Sequence, residues 1–269
     1  MAYIDFSRAF DTVSHPKLLH KLKSYGTEDV LHQWIGNFLT ERSHCTRVNS
    51  VYSSFEYIRS GVVQGSCLGP LLFLIYINDI TDCFDDKVNC KLYADDVKLY
   101  TELRSAADTY CFQDCLDRIY QWSLTWQLQI SSQKCCVIDV GKTTAADDGY
   151  PCCLGIERLT VSENVRDLGV VVDSHLCFSE HIANIVRKAH QRANLIHRCF
   201  TSKNPDLLVK AFEVYVRPIL EFNSPVWSPS LSKDILLIES VQRKFTKRIP
   251  SMSGLTYYSR LQVLGLAQG

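Results

Sequence analysis

The sequence predicts an α+β fold: a domain with a mainly antiparallel sheet and helices, followed by a helical module. Three observations lead there. Up to about residue 175, short segments of period two are interleaved with segments of period 3.6. From Ser179 onward the pattern is helical throughout. The charge balance also changes: residues 181–269 hold 13 Lys and Arg against 5 Asp and Glu, leaving 16 against 24 in residues 1–180. Together these place one domain over residues 1–175 and a second over 176–269.

The elements follow in order. Ala2–Ile4, ahead of Asp5, reads as the end of a buried strand. Ser14 is suited to cap a helix that carries Pro16 in its first turn, with Leu18, Leu19 and Leu22 on one face and Gly26 past its end. Asp29–Leu39 reads as a second helix. Residues 47–58 alternate like a strand pair turning at Asn49 and Ser50. Residues 60–69 are a Gly-containing loop, and Pro70 opens a buried helix through the apolar run LLFLIYI. KLYADDVKLY, residues 91–100, reads as a hairpin. Residues 105–129 place Tyr110, Leu116, Ile119, Trp122, Leu124 and Trp126 at helical spacing. Residues 135–172 read as short strands, with turns at residues 147–149 and 162–164. Three helical runs follow, over residues 179–200, 205–222 and 232–249, punctuated by Pro205, Pro225 and Pro229.

Composition narrows the class. Hydrophobic content of 46% and charged content of 22% are ordinary for a globular protein, and 269 residues suffice for one or two domains with a full core. The formal net charge is zero, so only its distribution bears on partners. A basic C-terminal third suits a polyanion, and equally suits solvated helix faces. The 12 cysteines include no C-x-x-C pair, and the start MAYIDFSRAF lacks the basic lead and apolar core of a secretory leader. The expectation is reduced, small apolar side chains in an intracellular protein, nuclear or cytoplasmic and not secreted. A zinc or disulfide scaffold is disfavoured by the same spacing. The longest apolar run, residues 71–77, is too short to cross a membrane.

Asp95 and Asp96 stand side by side between two strand-like runs. Such a doublet can be a solvated turn. It can also hold a divalent cation, which offsets both the mutual repulsion and the lost hydration of two half-buried carboxylates. Hard oxygen donors favour Mg²⁺ or Mn²⁺ over zinc. Phosphoryl transfer at such a centre needs a further carboxylate, and Asp5 at a strand end is a candidate. An acidic residue there also commonly caps a turn or helix.

The motifs then become specific. Asp5-Phe6-Ser7-Arg8-Ala9-Phe10-Asp11-Thr12-Val13-Ser14-His15 comes first. Ser60-Gly61-Val62-Val63-Gln64-Gly65-Ser66-Cys67-Leu68-Gly69-Pro70-Leu71-Leu72-Phe73 follows, then Tyr93-Ala94-Asp95-Asp96. In this order they resemble motifs A, B and C of the reverse transcriptases of non-LTR, LINE-like retrotransposons, of the jockey and chicken-repeat type. Ile75-Tyr76-Ile77-Asn78-Asp79, Val165-Arg166-Asp167-Leu168-Gly169-Val170, Val216-Arg217-Pro218-Ile219-Leu220-Glu221 and Val241-Gln242-Arg243-Lys244-Phe245-Thr246-Lys247-Arg248 are similar to that family too, so the likeness runs along the whole chain. Val63 stands where a proline is usual, and Cys67 where a valine is common.

The resemblance implies an RNA-directed DNA polymerase core working by two-metal nucleotidyl transfer from a dNTP to a primer 3′-hydroxyl. Asp5, Asp95 and Asp96 would hold two Mg²⁺ or Mn²⁺ ions, with the backbone carbonyl of Phe6 an extra ligand. Phe10 would lie under the sugar and exclude a 2′-hydroxyl; a core aromatic is the other reading of that position. Gln64 and Gly65 would touch the nucleotide and template. Lys134 would protonate the leaving pyrophosphate, although a lysine in such a loop can simply be solvated. Leu168 and Gly169 would belong to the hairpin that grips the primer. Partners would be an RNA template, a DNA primer and dNTP, with no membrane and no oligomeric state implied. The resemblance further implies fingers upstream of Asp5, so that residues 1–175 are a palm with truncated fingers and residues 176–269 a thumb. The alternative is an inactive, truncated retrotransposon remnant that at most binds nucleic acid.

Overall fold

The computed structural model describes residues 1–85, 87–141 and 152–267. The chain divides into two compact units, residues 1–162 and 163–269. The first runs β1 (Ala2–Ile4), α1 (Ala9–Thr12), α2 (His15–Ser24), α3 (Asp29–Leu39), β2 (Ser43–His44), β3 (Arg47–Val48), β4 (Val51–Tyr52), β5 (Glu56–Tyr57) and α4 (Gly69–Ile77). A 3₁₀ turn over Asn78–Cys83 leads to β6 (Asn89–Tyr93), β7 (Asp96–Tyr100), α5 (Ala106–Trp126), β8 (Cys136–Val137), β9 (Cys153–Leu154), β10 (Glu157–Arg158) and β11 (Thr160–Val161).

The central sheet has the order β11-β8-β1-β7-β6, and β11 with β8 is its one parallel pair. β1 lies in the middle because its side chains alternate. Ala2 and Ile4 are buried on the same face as Val97 and Leu99 of β7, while Tyr3 and Lys98 occupy the other face. That inner face packs on α4 and α5. α4 is apolar all round and buries Leu72, Phe73, Tyr76 and Ile77; α5 buries Phe112, Leu116, Ile119 and Trp122. Ser14 precedes α2 as its cap residue, but its side chain makes no cap bond. The turn expected at residues 147–149 lies outside the described residues.

One polar pin crosses this core. Lys21 of α2 is buried, and its ammonium donates to the Tyr76 carbonyl at 2.5 Å and to Asp79 Oδ1 at 2.7 Å. It sits 3.5 Å from the centroid of the Trp126 ring, and Trp122 Nε1 donates to the same Asp79 oxygen at 2.9 Å. Burial lowers the Lys21 pKa while the Asp79 carboxylate holds it up. The pin ties α2, the 3₁₀ turn and α5 together.

The second unit holds the hairpin β12 (Asn164–Asp167) and β13 (Val170–Asp173), then α6 (Ser179–Cys199), α7 (Pro205–Tyr215), α8 (Arg217–Glu221), α9 (Ser224–Trp227), α10 (Ser232–Lys247) and α11 (Tyr257–Leu264). Val170 and Val172 join the helical core around Ile182, Phe212 and Phe245, so the hairpin belongs with the helices that follow it. The pattern change near residue 175 falls where the hairpin gives way to α6. The run over residues 205–222 is two helices rather than one, parting at Val216. Pro218 has no N–H to donate backward and its ring crowds the preceding turn. Among the described residues no disulfide forms, and no helix is long and apolar enough to cross a membrane.

Candidate active site

Register brings two distant acids together. Ala2 pairs with Leu99, Tyr3 with Lys98 and Ile4 with Val97. One further step, past the last pair of that ladder, would set Asp5 opposite Asp96. Residues directly opposite in an antiparallel pair have Cα atoms about 4.5–5.5 Å apart and project to the same face. Asp5 and Asp96 therefore share the face that carries Tyr3 and Lys98, away from the core. Asp95 sits at the tip of the β6–β7 hairpin, where a two-residue turn of Ala94 and Asp95 connects Tyr93 to Asp96. Ala94 has φ 52°, the left-handed region, which costs an alanine about 1–2 kcal/mol. Strained backbone of this kind concentrates at working sites.

Asp5 is held from its other side by the turn after α5. Ser131 N–H donates to the Asp5 carbonyl at 2.8 Å. The Asp5 N–H donates to Cys135 Sγ at 3.3 Å, and that thiol donates to the Ser131 carbonyl at 3.2 Å. Burial pushes the Cys135 thiol up to about 11, so it stays protonated and serves as a neutral clamp. Lys134 Nζ lies 3.4 Å from Asp5 Oδ1. Phe6 is buried against Trp122, with ring centroids 6.2 Å apart, and faces Ile130 across an isolated antiparallel bridge. The flanking bonds, Ser131 N–H to Asp5 O and Ser7 N–H to Gln129 O, turn the Phe6 carbonyl toward the opposite edge, the side of β7.

The loop over residues 60–69 is fastened to α1. Gly61 donates to the Val13 carbonyl and Val62 to the Phe10 carbonyl, each at 2.8 Å, and His15 Nε2 bonds the Gly61 carbonyl at 2.8 Å. Gly61 has φ +90°, and a Cβ there would stand 2.7 Å from the Asp11 carbonyl oxygen, so only glycine fits this approach. Gln64 Nε2 donates to Asp11 Oδ1 at 2.6 Å, and Gly65 has open space around it. Phe10 stacks on Phe73 at 4.1 Å between centroids, half-buried at the margin of the core. Leu168 and Gly169 form the two-residue turn of the β12–β13 hairpin, both with positive φ, in the second unit.

Asp5 and Phe6 follow β1, Asp95 and Asp96 stand at the β6–β7 turn, and Lys134 lies beside Asp5, while Phe10, Gln64 and Gly65 lie on α1 and the adjoining loop. Sequence pattern does not single out Asp11, Ser131 or Cys135. Cys135 in a strand-like run looks like any small apolar side chain, and only its contact with Asp5 gives it a role. Among the described residues, no three His, Cys, Asp or Glu side chains form a ready metal cage. The donors are nonetheless hard carboxylate oxygens on adjacent strand ends, and the Lys134 ammonium beside Asp5 is a stand-in cation at that place. Carboxylate oxygens are the donor type that a divalent ion such as Mg²⁺ takes.

The family of reverse transcriptases (RNA-dependent DNA polymerases) matches residues 1–172. The RNA-directed DNA polymerase from the mobile element jockey of Drosophila melanogaster is 29% identical over 269 residues, covering 96% of this chain and 29% of that protein. The probable RNA-directed DNA polymerase from transposon BS of the same organism is 26% identical over 96% of this chain and 29% of its own length. The chain therefore spans less than a third of these curated relatives. A structure of telomerase from Candida albicans, in complex with a fragment of telomeric RNA, aligns with TM-score 0.50 and 10% identity, covering 100% of this chain and 51% of that one. At that identity the likeness concerns the fold.

Proposed function

We propose what this chain does from one premise: it belongs to the reverse transcriptase (RNA-dependent DNA polymerase) family. The reading is an RNA-directed DNA polymerase core, with residues 1–162 as palm and the second unit as thumb. The observation that supports it is the β1–β7 register, which ends on Ile4 opposite Val97 and leaves Asp5 and Asp96 as the next residue of each strand.

Asp5, Asp95 and Asp96 would hold two Mg²⁺ or Mn²⁺ ions, with the Phe6 carbonyl facing the same edge. Divalent ions bound there would lower the pKa of a primer 3′-hydroxyl and stabilise the departing pyrophosphate. The chain's own residues do the rest. The β1–β7 ladder and the Ser131–Cys135 turn fix the Asp5 backbone. Phe73 holds the Phe10 ring flat beside the site, where it would exclude a 2′-hydroxyl and favour deoxynucleotides. Asp11 orients Gln64 for the nucleotide and template. Lys134 neutralises Asp5 in the metal-free chain. Once displaced it carries its proton toward the leaving phosphate. Leu168 and Gly169 present the turn that would steady the primer. Base pairing with the RNA template supplies the sequence information, and the protein supplies position and electrostatics.

The test is primer extension on an RNA template with Mg²⁺ or Mn²⁺. Asp95→Asn should reduce extension about a hundredfold or more, several kcal/mol of charge stabilisation being removed. Extension equal in wild type and Asp95→Asn would exclude this site. No extension by either, with salt-sensitive nucleic-acid binding retained, would identify the chain as a binding remnant.

A further inference from the structure

The loop over residues 60–69 is fastened at both ends and open in the middle. At its start the Gly61 and Val62 N–H groups donate to the Val13 and Phe10 carbonyls at 2.8 Å, and Ser60 Oγ donates to the Asp11 carbonyl at 2.9 Å. Ser14 also faces Ser60 across an isolated antiparallel bridge. At its end the Ser66 hydroxyl donates to the Val63 carbonyl at 2.7 Å and accepts the Gly69 N–H at 2.9 Å. Between these fastenings lie Gln64, exposed, and Gly65, at φ +83° with open space around it.

The three donors at the start all belong to the loop, and the carbonyls that accept them belong to residues 10–13. The return bond comes from His15, the first residue of α2. Its Nε2 meets the Gly61 carbonyl at 2.8 Å, and because a carbonyl only accepts, Nε2 carries the hydrogen. His15 is 5% exposed and Gly61 is buried, so water cannot replace either partner, and a Gly61 carbonyl without a donor would keep the full cost of its desolvation. A side chain at position 61 would collide with the Asp11 carbonyl, so the loop start has no side-chain packing of its own and depends on these bonds. The Phe10 ring, by contrast, is held against α4 by its stack on Phe73. Of the two parts, the loop is the one that shifts when a bond is lost.

We propose that His15 is a positioning residue for the incoming nucleotide, acting through the Gly61 carbonyl to set Gln64 and Gly65 in fixed relation to Phe10. The proposal rests on the polymerase reading, in which Phe10 lies under the sugar and Gln64 touches the nucleotide and template, and it adds the residue that aligns the two. A small displacement of one against the other loosens the grip on the nucleotide and blurs the choice between deoxyribose and ribose.

The experiment is steady-state primer extension on an RNA template by the full chain and three variants. His15→Leu removes the donor and keeps an apolar side chain in its place. His15→Gln returns an amide N–H near the position of Nε2. His32→Leu is the control, because His32 Nε2 bonds the Leu19 carbonyl of α2 at 3.0 Å, the same kind of bond away from the loop. His15→Leu should raise the KM for dNTP about five- to tenfold and lower the preference for dNTP over rNTP about threefold, with kcat changed by less than about twofold. His15→Gln and His32→Leu should both stay within about twofold of wild type in KM. Hydrogen exchange at the Gly61 and Val62 amides reads the fastening without any chemistry, and should quicken in His15→Leu alone. A folded His15→Leu with wild-type KM and preference overturns the proposal, whether or not its exchange quickens, and so does an equal rise of KM in His32→Leu. If circular dichroism shows His15→Leu unfolded, His15→Asn, too short to reach Gly61, is read by the same criteria. A wild-type chain that extends no primer overturns the polymerase reading, and this proposal with it.

Discussion

At the residue scale, Asp5 is held at its backbone and at one carboxylate oxygen. Its N–H goes to a thiol, its carbonyl to Ser131 and one carboxylate oxygen to Lys134. The Lys134 contact is exposed and long, so it contributes little to stability and gives way readily. It still competes with a cation for Asp5. Lys134→Met, which keeps the stem and removes the charge, should bind Mn²⁺ about two- to fivefold more tightly in the absence of nucleotide. Isothermal titration of both proteins checks this. Unchanged or weaker Mn²⁺ binding in Lys134→Met would mean that the ammonium does not occupy the ion's place. Primer extension by the same variant should fall, because the proton it would deliver is gone. The opposite movement of affinity and activity separates this role from a loss of fold.

At the element scale, the site depends on supports behind the sheet. Trp122 of α5 touches Phe6 on one side and donates to Asp79 on the other, and Asp79 is the carboxylate partner of Lys21. A buried ion pair adds little net stability when complete, yet removing one partner leaves the other uncompensated. Lys21→Met should destabilise the chain by about 3 kcal/mol. A second change, Asp79→Leu in the Lys21→Met background, should restore part of that loss, since neither charge is then stranded. Denaturant unfolding of the wild type, the single and the double variant measures it. A Lys21→Met chain as stable as wild type would remove the pin from this account.

At the scale of the whole molecule, the two units differ in chemistry. The first carries the acids and the second the surplus of base. The second unit also buries histidines. His181 accepts a hydrogen bond from the Val171 N–H at Nδ1; among the described residues its buried Nε2 has no hydrogen-bond partner, and neither has the buried Nε2 of His197. Burial lowers the pKa of His181 and His197 from 6.5, and positive neighbours, Lys188 and Arg248, act in the same direction. The unfolded chain therefore takes up protons that the folded chain refuses. Stability is complete above the unfolded value of 6.5 and is lost as pH falls below it. Thermal midpoints should fall by several degrees between about pH 7.5 and about pH 5.5, and His197→Phe should remove part of that fall. A wild-type midpoint that does not move over this range would refute the assignment.

The sequence by itself determined the elements and the family resemblance. Pro70 before an apolar run, the alternation around Asp95 and Asp96, and the helical spacing through Trp122 all describe the structure, because capping, turn preference and periodicity act between near neighbours in the chain. The ordered motifs named the acids and the family. Tertiary structure alone decided which atoms meet. That β1, just ahead of Asp5, pairs with β7, which Asp96 opens, that Cys135 bonds the Asp5 backbone, that Asp11 holds Gln64 and that Lys244 lies across from His190 all join residues far apart in sequence. Such pairings are set by how the whole core packs and which strand register buries Ala2, Ile4, Val97 and Leu99 together, and no local stretch of the chain carries that information.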